Sequence, residues 1–288
     1  AEYYYGVKNA NQTAAYAMAA LQIKKSNYYA DFQPYYQNLP HELLYWAFWQ
    51  LNKFEDSGYH FTMAHSYKMF EPKYLHDLRF YIELPKISFV IPTLGRKEGL
   101  QKCLDSIKNL NYPQEKVEVL YEEDEPRIGV PKLVKRLVSK ATGEWVVYAS
   151  NDIEFHPDSI ISAFITARVN KKSLVSFNTQ DGKISADEGN ICEHFMIHRS
   201  MVEKLKGEIF DTEFNHVGVD NLLWAQMRKL SQNIWCKRAL VKHNHFSKGD
   251  VEFDSVYALA WDEESVKKDR ELLIKKLADL ALKPYPLL

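Results

Sequence analysis

Two acidic segments of the 288-residue chain each follow a short apolar run with the composition of a β-strand. Glu122–Glu125 follows Val117–Tyr121, while Asp152 and Glu154 follow Trp145–Ala149. One acidic residue after a strand can simply form a turn or cap a helix. Two acidic strand ends beside one crevice repel each other unless a cation or a donor-rich ligand relieves the repulsion. The pattern therefore predicts a divalent cation, Mn²⁺ or Mg²⁺, held by oxygen ligands.

A crevice of this kind suits group transfer from a nucleotide diphosphate, because a divalent ion can bridge the phosphates and neutralise the leaving group. The acids of Glu122–Glu125 would accept hydrogen bonds from the base or ribose, or would form only a solvated charge run. After the first strand, Pro92–Arg96 offers backbone amides and a hydroxyl. Arg96 and Lys132 could neutralise phosphate, although a solvated surface cation is the ordinary interpretation of each.

Two histidines, His243 and His245, lie close together late in the chain. A lone histidine is more often structural, but a pair beside a metal crevice favours one of them as a metal ligand or a diphosphate contact. His243 is the preferred ligand because it follows the apolar strand Ala239–Val241, and His245 is the alternative. His194 and His198 alternate with apolar residues, and the pattern does not decide between an acceptor-facing and a core position.

An alternation of strands and helices must position these residues, and it begins at Lys86. Such alternation predicts an α/β layer with parallel pairing and right-handed crossovers, in which ligands bind beyond the carboxyl ends of the strands. Gly143 is expected to end the second helix as a C-terminal glycine. The predicted strands are Ile87–Ile91, Val117–Tyr121 and Trp145–Ala149, and the predicted helices are Glu98–Asn109, Pro131–Lys140 and Pro157–Val169.

Aromatic residues are concentrated at the front of the chain, where thirteen of the 18 tyrosines precede Pro85. Asn11–Lys25 and Leu43–Phe54 have helix-compatible spacing, so residues 1–84 are predicted to form a helical, aromatic-rich extension. Its rings could stack on sugars or bases. The pattern favours the simpler interpretation, in which a thin helical layer buries bulky side chains against its neighbour.

The end of the chain predicts one more helix, Trp261–Leu282, which is acidic early and basic late, as the helix dipole favours. The formal net charge is −1, which disfavours a protein that binds the nucleic-acid backbone. No apolar run approaches the ~20 residues of a membrane span, and no signal-peptide pattern is present. Three widely spaced cysteines exclude a zinc cluster or disulfide scaffold and predict a reducing, cytoplasmic setting.

Four motifs occur in order within residues 87–164. Ser88–Arg96 is a strand with its loop, and Val117–Asp124 is a strand ending in acids. Ala141–Trp145 has the pattern Ala-x-Gly-Glu before the third strand, and Ser150–Asp152 stands where an Asp-x-Asp motif would follow it. Together these motifs resemble the nucleotide-binding half of a GT-A glycosyltransferase, family-2-like.

The resemblance continues to about residue 250. Phe195–Arg199 resembles the acceptor-side strand of that family. Phe210–Phe214 and Gly218–Asp220 resemble its loop and the Glu-Asp motif that opens the acceptor-side helix. Lys242–His245 resembles its late histidine segment. The whole resemblance covers residues 86–250, well over half of the chain.

Two departures from the family pattern each remove a carboxylate. Ser150 replaces the first acid of Asp-x-Asp, which leaves Asp152 as the metal ligand from that loop. Val219 replaces the acid before Asp220. An acid at a helix start can merely complement the dipole, but the resemblance implies that Asp220 is the general base for the acceptor hydroxyl.

The resemblance implies an α/β GT-A fold, a Rossmann-like and mostly parallel sheet flanked by helices. It further implies a metal-dependent, inverting transfer from a nucleotide-diphosphate sugar, UDP-sugars favoured, to the hydroxyl of a glycan or another acceptor. The implied organisation is a helical extension over 1–84, a GT-A domain over 85–250 and a C-terminal helical segment over 251–288. The expected donor-binding residues are Pro92, Thr93, Arg96, Glu123, Asp124, Lys132, Asn151 and Asp152; the expected metal ligands are Asp152 and His243, with His245 as the alternative.

Three other functions compete with this interpretation. A DNA-base glycosyltransferase acting on hydroxymethylpyrimidine would have the same fold, but the near-zero net charge disfavours it. A non-catalytic sugar- or nucleotide-binding module would explain Ser150 and Val219. A nucleotidyltransferase would need a glycine-rich phosphate loop, which Pro92–Gly95 does not supply.

Overall fold

The computed structural model describes residues 1–23, 34, 37–67, 72–179, 192–245, 252–253, 255–260 and 262–280. It divides into two compact units, Ala1–Leu84 and Pro85–Leu288. The last two residues of the predicted helix Asn11–Lys25 lie outside the described residues, and so do Trp261 and residues 281–282 of the predicted C-terminal helix.

The described part of the first unit is built from helices. Phe61 is fully buried there, and its ring packs against the rings of Tyr45 and Tyr81 at centroid distances of 5.2 and 5.5 Å. Some aromatic side chains therefore pack within the unit, whereas others, such as Tyr3, Tyr59 and Phe80, are exposed, so burial accounts for only part of the aromatic residues. The helices are α1 (Glu2–Gly6), α2 (Ala10–Gln22), α3 (Asn38–Gln50), α4 (Phe54–Tyr67) and α5 (Leu75–Tyr81), and a 3₁₀ turn covers Pro72–Tyr74.

The single helix predicted over Leu43–Phe54 is wrong at its end. α3 stops at Gln50, and Asn52 adopts a left-handed φ of 57° before α4 begins at Phe54. Asparagine tolerates this conformation better than most residues, so the apolar periodicity continues across a turn that the backbone does not.

The second unit contains a sheet and the helices that flank it. Its strands are β1 (Ile87–Thr93), β2 (Val117–Glu123), β3 (Trp145–Tyr148), β4 (Ile153–Phe155), β5 (Leu174–Asn178), β6 (Phe195–His198) and β7 (Asn233–His243). Its helices are α6 (Lys97–Lys108), α7 (Val130–Lys140), α8 (Ser159–Asn170), α9 (Arg199–Lys204), α10 (Val219–Lys229), α11 (Ser255–Ala260) and α12 (Glu263–Asp279), with a 3₁₀ turn at Gln114–Lys116.

The predicted α/β class is confirmed. The seven described strands run in the order β2-β1-β3-β6-β5-β7-β4. β1 pairs in parallel with β2 and β3, as the strand–helix alternation predicts, and β5 pairs in parallel with β7. The β3–β6, β5–β6 and β4–β7 ladders are antiparallel, so the sheet is mixed and is continuously parallel only from β2 through β1 to β3.

The first strand lies in the interior of the second unit. All seven residues of β1 are buried, which explains its mostly apolar composition, because a strand covered on both faces needs no polar alternation. α8 covers the sheet with nine buried residues and accordingly lacks a polar stripe.

Gly143 does not end the second predicted helix. α7 ends at Lys140, and its C-cap is Ala141 in an extended conformation. Gly143 instead donates its N–H to the Ser88 hydroxyl at 2.7 Å, and a Cβ there would lie 2.6 Å from the Ser88 nitrogen. The glycine is needed for this close approach of two backbones, not for a helix cap.

The amino end of the sheet contains a carboxylate with many donors. Glu118 of β2 accepts hydrogen bonds from Lys86 Nζ at 3.3 Å, from Thr142 N and Oγ1 at 2.8 and 2.7 Å, and from the Ser88 hydroxyl. Burial opposes the charge, but the hydrogen bonds from Ser88 and Thr142 outweigh it and lower the pKa of Glu118 to about 2. This carboxylate joins β1, β2 and the approach to β3.

None of the helices in the described part of the chain combines the length and apolar content that a bilayer crossing needs. Cys103, Cys192 and Cys236 are buried and unpaired, so the structure uses no disulfide among them.

Candidate functional site

Three strand ends meet at the carboxyl edge of β3. Tyr148 at the end of β3 lies opposite Phe195, the first residue of antiparallel β6. Beyond β3, Ile153 of β4 lies opposite His243 at the end of β7. This register brings the residues that precede β6 and those that end β7 to the loop containing Asp152.

Asp152 lies at the centre of this meeting point, with its side chain 12% exposed. Its Oδ1 is 3.6 Å from His243 Nε2, its Oδ2 is 3.6 Å from Arg96 Nη1, and the Ser150 hydroxyl donates to it. Burial alone would raise the pKa of Asp152, but the contacts with His243 and Ser150 hold it well below its usual range. The group is therefore a carboxylate at any ordinary pH.

Glu193, His194 and His243 form a cluster that could hold a metal ion. One ligand atom from each lies within 4.8 Å of the others, and His243 Nδ1 is 3.4 Å from Glu193 Oε2. Two imidazoles and one carboxylate suit a first-row transition ion such as Mn²⁺ better than Mg²⁺, which prefers an all-oxygen shell. The donor set therefore fits a divalent cation. His243 was predicted as a ligand; Asp152 contacts the other nitrogen of its ring.

Asp220 lies in the first turn of α10, directly after Gly218 and Val219. Its Oδ1 accepts a hydrogen bond from the N–H of Asn221 at 3.0 Å. Burial and then the negative charge of Glu193 raise the pKa of Asp220 to about 7. A helix N-terminus alone would lower this pKa, so the burial and the like charge dominate. A carboxyl group that titrates near neutrality can take up a proton during a reaction.

The predicted donor-side residues join the ends of the first three strands. Asn151 donates from Nδ2 to Thr93 Oγ1 at 2.7 Å, and both side chains are buried beside buried Pro92. The N–H of Gly95 donates to Glu123 Oε1 at 3.1 Å. These contacts fix the loop after β1 next to the acid at the end of β2.

Asp124 has a different environment from its neighbour Glu123. It is buried, and its two carboxylate oxygens accept hydrogen bonds from Ile128 N at 2.8 Å and Gly129 N at 3.1 Å. Glu123 is exposed. The structure thus uses Asp124 to hold the loop before α7, while Glu123 is the acid with access to a ligand.

Arg96 is stacked on an aromatic ring that the sequence analysis did not single out. Its guanidinium carbon lies 3.5 Å from the ring centroid of Tyr257 in α11, whose hydroxyl is 3.5 Å from Asp152 Oδ2. The ring of His245 lies between the rings of His243 and Tyr257, at centroid distances of 5.2 and 4.9 Å. Lys132 is exposed on α7, and no described contact brings it to this cluster.

Sequence reasoning missed Glu193, His194 as a ligand, and Tyr257. The apolar strand after Glu193 and His194 was predicted, but its antiparallel direction was not, and that direction places the pair beside Asp152. An acid and a histidine at a strand start were the available signal. Tyr257 has no comparable signal, because it belongs to a short helix far from the motifs.

The sequence matches no protein-family model and no curated protein. In structure it is similar to the mannosyltransferase PcManGT from Pyrobaculum calidifontis in complex with GDP-Man and Mn²⁺, at 14% identity and a TM-score of 0.49, over 96% of this chain and 88% of that one. It is also similar to S. aureus TarS 1-349, at 13% identity and a TM-score of 0.47, over 68% and 72% of the two chains. These likenesses are too distant to assign the chain to a family.

Proposed function

We propose that this chain is a metal-dependent glycosyltransferase that moves a sugar, with inversion, from a nucleotide-diphosphate donor to an acceptor hydroxyl. One observation supports this most strongly. A partly buried carboxyl group that titrates near neutrality, Asp220, lies beside a carboxylate–imidazole cluster at the carboxyl edge of the sheet. Several of the sequence motifs that resemble a GT-A glycosyltransferase, among them Ser150–Asp152 and Lys242–His245, lie at this same edge.

The cation would be held by Glu193, His194 and His243, with Asp152 in contact with the His243 ring. When bound, such an ion neutralises charge on a departing diphosphate. Arg96 lies at the same place and supplies a second positive charge for the phosphates. Its stacking on Tyr257 fixes the guanidinium plane, which reduces the freedom lost on binding.

The base or ribose of the donor would be recognised at the end of β2. Glu123 is exposed there and has one carboxylate oxygen anchored by the N–H of Gly95. The hydrogen bond between Asn151 and Thr93 ties this end of the sheet to the Asp152 loop. Base and diphosphate sites are therefore held at a fixed separation.

Asp220 would act as the general base. The acceptor hydroxyl gives its proton to the Asp220 carboxylate while its oxygen forms a bond to the anomeric carbon. The bond from that carbon to the diphosphate breaks, and its electron pair leaves with the nucleoside diphosphate. Attack from the face opposite the leaving group inverts the anomeric centre. A positioned base of this kind contributes typically ~10²–10⁴ in rate.

The first experiment measures donor hydrolysis over a panel of UDP- and GDP-sugars, with Mn²⁺, with Mg²⁺ and with EDTA. We expect one nucleoside diphosphate to be released, more with Mn²⁺ than with Mg²⁺ and not with EDTA. Asp152→Ala and Glu193→Gln should each lower the release by at least the roughly 10–100-fold that loss of a partner around a metal costs. Glu118→Gln, a carboxylate change at the other end of the sheet, is the matched control and should keep the release.

Nucleotide binding is titrated in the same samples, and glycan and hydroxymethylated DNA acceptors are added where hydrolysis is silent. Metal-dependent binding without turnover on any acceptor would favour a non-catalytic nucleotide- or sugar-binding module. Transfer to the DNA acceptor would favour the base-modifying alternative. If the protein neither releases a nucleoside diphosphate nor binds a nucleotide, the proposed function is contradicted. A cytoplasmic setting stays a prediction from the cysteine pattern.

A further inference from the structure

We infer that Asp269, on α12, is a positioning residue for Asp220. It fixes the loop that leads into α10, and this role rests on the proposed function. The sequence offered no chemistry for the C-terminal helix. The structure gives it a polar contact with the segment directly before the candidate base.

Asp269 is 2% exposed and binds three consecutive backbone amides. Its Oδ1 accepts from Asn215 N at 2.9 Å, and its Oδ2 accepts from His216 N and Val217 N, both at 2.8 Å. Hydrogen bonds to an ionised acceptor are stronger and shorter than neutral ones. Three of them on adjacent residues leave this stretch of backbone little freedom.

α12 also packs against Gly218, the residue at which the chain turns into α10. Gly218 adopts a left-handed φ of 83°, and a Cβ there would lie 2.9 Å from Leu273 Cδ2. Only glycine adopts this conformation without strain while Leu273 packs so closely. The turn is thus fixed by its backbone conformation and by a buried side chain of α12.

The start of the same loop is anchored by a second polar contact. Lys276 Nζ lies 2.7 Å from Asp211 Oδ2 and 2.9 Å from Glu213 Oε1. Asp269, Leu273 and Lys276 are spaced i, i+4 and i+7, which places them on one face of α12. This face therefore contacts the loop at its beginning, its middle and its end.

Apolar packing alone would not need a buried carboxylate. Leu273 and Leu277 already attach α12 to the core, and both are buried. A buried charge is costly unless it is fully hydrogen-bonded, and here its partners are all on the loop. What Asp269 adds beyond packing is a fixed direction for the backbone two residues before α10. Displacement of a reacting group by about 1 Å can lower the reaction rate by about 10²-fold.

The test compares Asp269→Asn with Leu277→Ala, a change of a buried apolar side chain on the same helix that leaves the three hydrogen bonds of Asp269 in place. We expect Asp269→Asn to lower kcat for Mn²⁺-dependent release of nucleoside diphosphate by about 10²-fold, with donor KM near the wild-type value. Asp269→Glu, which keeps the charge, should recover part of kcat. Leu277→Ala should lower Tm without this loss of kcat. An unchanged kcat in Asp269→Asn, or an equal kcat loss in Leu277→Ala, would overturn the inference.

A second measurement does not depend on turnover. Amide hydrogen exchange of the metal-free protein should be faster over residues 215–223 in Asp269→Asn, and unchanged there in Leu277→Ala. If the wild type releases no nucleotide from any donor but this exchange difference is seen, the proposed function fails and the mechanical link to Asp220 stands. If exchange over these residues is the same in both variants, the inference fails regardless of activity.

Discussion

The two ends of the sheet hold carboxylates of opposite character. At the amino end, Glu118 receives hydrogen bonds from Lys86, Ser88 and Thr142, and its pKa is lowered to about 2. At the carboxyl end, burial and Glu193 raise the pKa of Asp220 to about 7. One sheet thus produces a carboxylate that only holds strands together and another that can exchange a proton. Hydrogen-bond donors determine the pKa of Glu118, whereas burial and a neighbouring negative charge determine that of Asp220.

The backbone explains why the donors are distributed in this way. At the amino end, Glu118 lies within a strand, and the residues leading into β1 and β3 pass close enough to donate to it. At the carboxyl end, Asp220 lies in the first turn of a helix and receives the N–H of its neighbour Asn221. A site at the carboxyl edge is assembled from loops and helix starts, so a well-paired carboxylate such as Asp152 and one with a raised pKa such as Asp220 occur at the same edge.

Asp220→Asn is the change with the largest expected effect, because it removes the proton acceptor and keeps the shape. We expect kcat to fall by ~10²–10⁴, with nucleotide binding retained. Nucleoside diphosphate release and nucleotide titration measure the two quantities separately. A variant that still turns over at the wild-type rate would remove Asp220 from the reaction, and the comparison between the two sheet ends would lose its functional meaning.

Glu118→Gln tests the carboxylate at the amino end of the sheet. Loss of the charge weakens the hydrogen bonds from Lys86, Ser88 and Thr142, so the free energy of unfolding should fall by about 1.5–3 kcal/mol. Denaturant titration measures this change, and kcat should stay near the wild-type value. A large loss of kcat at unchanged stability would show that the amino end also takes part in the reaction.

The pH dependence of stability should have opposite signs at the two ends. Glu118 has a lowered pKa, so its contribution to the stability of the folded state is complete above about pH 4.5 and is lost as the pH falls toward 2. Asp220 has a raised pKa, so its contribution to the stability of the folded state is greatest below about pH 3.8 and is lost as the pH rises to about 7. A difference of one pKa unit between the folded and unfolded states corresponds to about 1.4 kcal/mol in the free energy of unfolding.

Thermal unfolding of the metal-free protein from pH 3 to pH 8 measures both slopes. Asp220→Asn should remove the loss of stability between about pH 4 and pH 7, and Glu118→Gln should reduce the loss below about pH 4.5. Identical pH profiles for the wild type and both variants would contradict the assigned environments.

The parallel half of the fold could be predicted from sequence because its strands are short, mostly apolar runs separated by helical segments. β1, β2 and β3 were located to within a few residues, and their parallel pairing follows from the helices between them. The antiparallel direction of β6 could not be predicted, since an apolar strand has the same pattern in either direction. The role of Gly143 was wrong for a related reason: the close approach to Ser88 joins residues distant in sequence.

The site was predictable where one residue type lies at a strand end. Asp152 and His243 were selected in this way, and the structure places them 3.6 Å apart. Asp124 has the same signal, but two backbone amides five or fewer residues away bind its carboxylate. The roles of Glu193 and Asp269 depend on contacts across the fold. Glu193 has only the weak local signal of an acid beside a histidine at a strand start, and no local pattern distinguishes Asp269 from a solvated acid.

The bond between Asp269 and Val217 spans 52 residues of chain. During synthesis the loop before Asp220 leaves the ribosome well before the helix that fixes it. The sheet can begin to fold in that interval, because β1, β2 and β3 are already available, whereas the loop before the candidate base still lacks its contacts with α12. The order of translation therefore separates the assembly of the sheet from the positioning of the candidate base, and a nascent chain long enough to form the parallel strands would still lack the hydrogen bonds from Asp269.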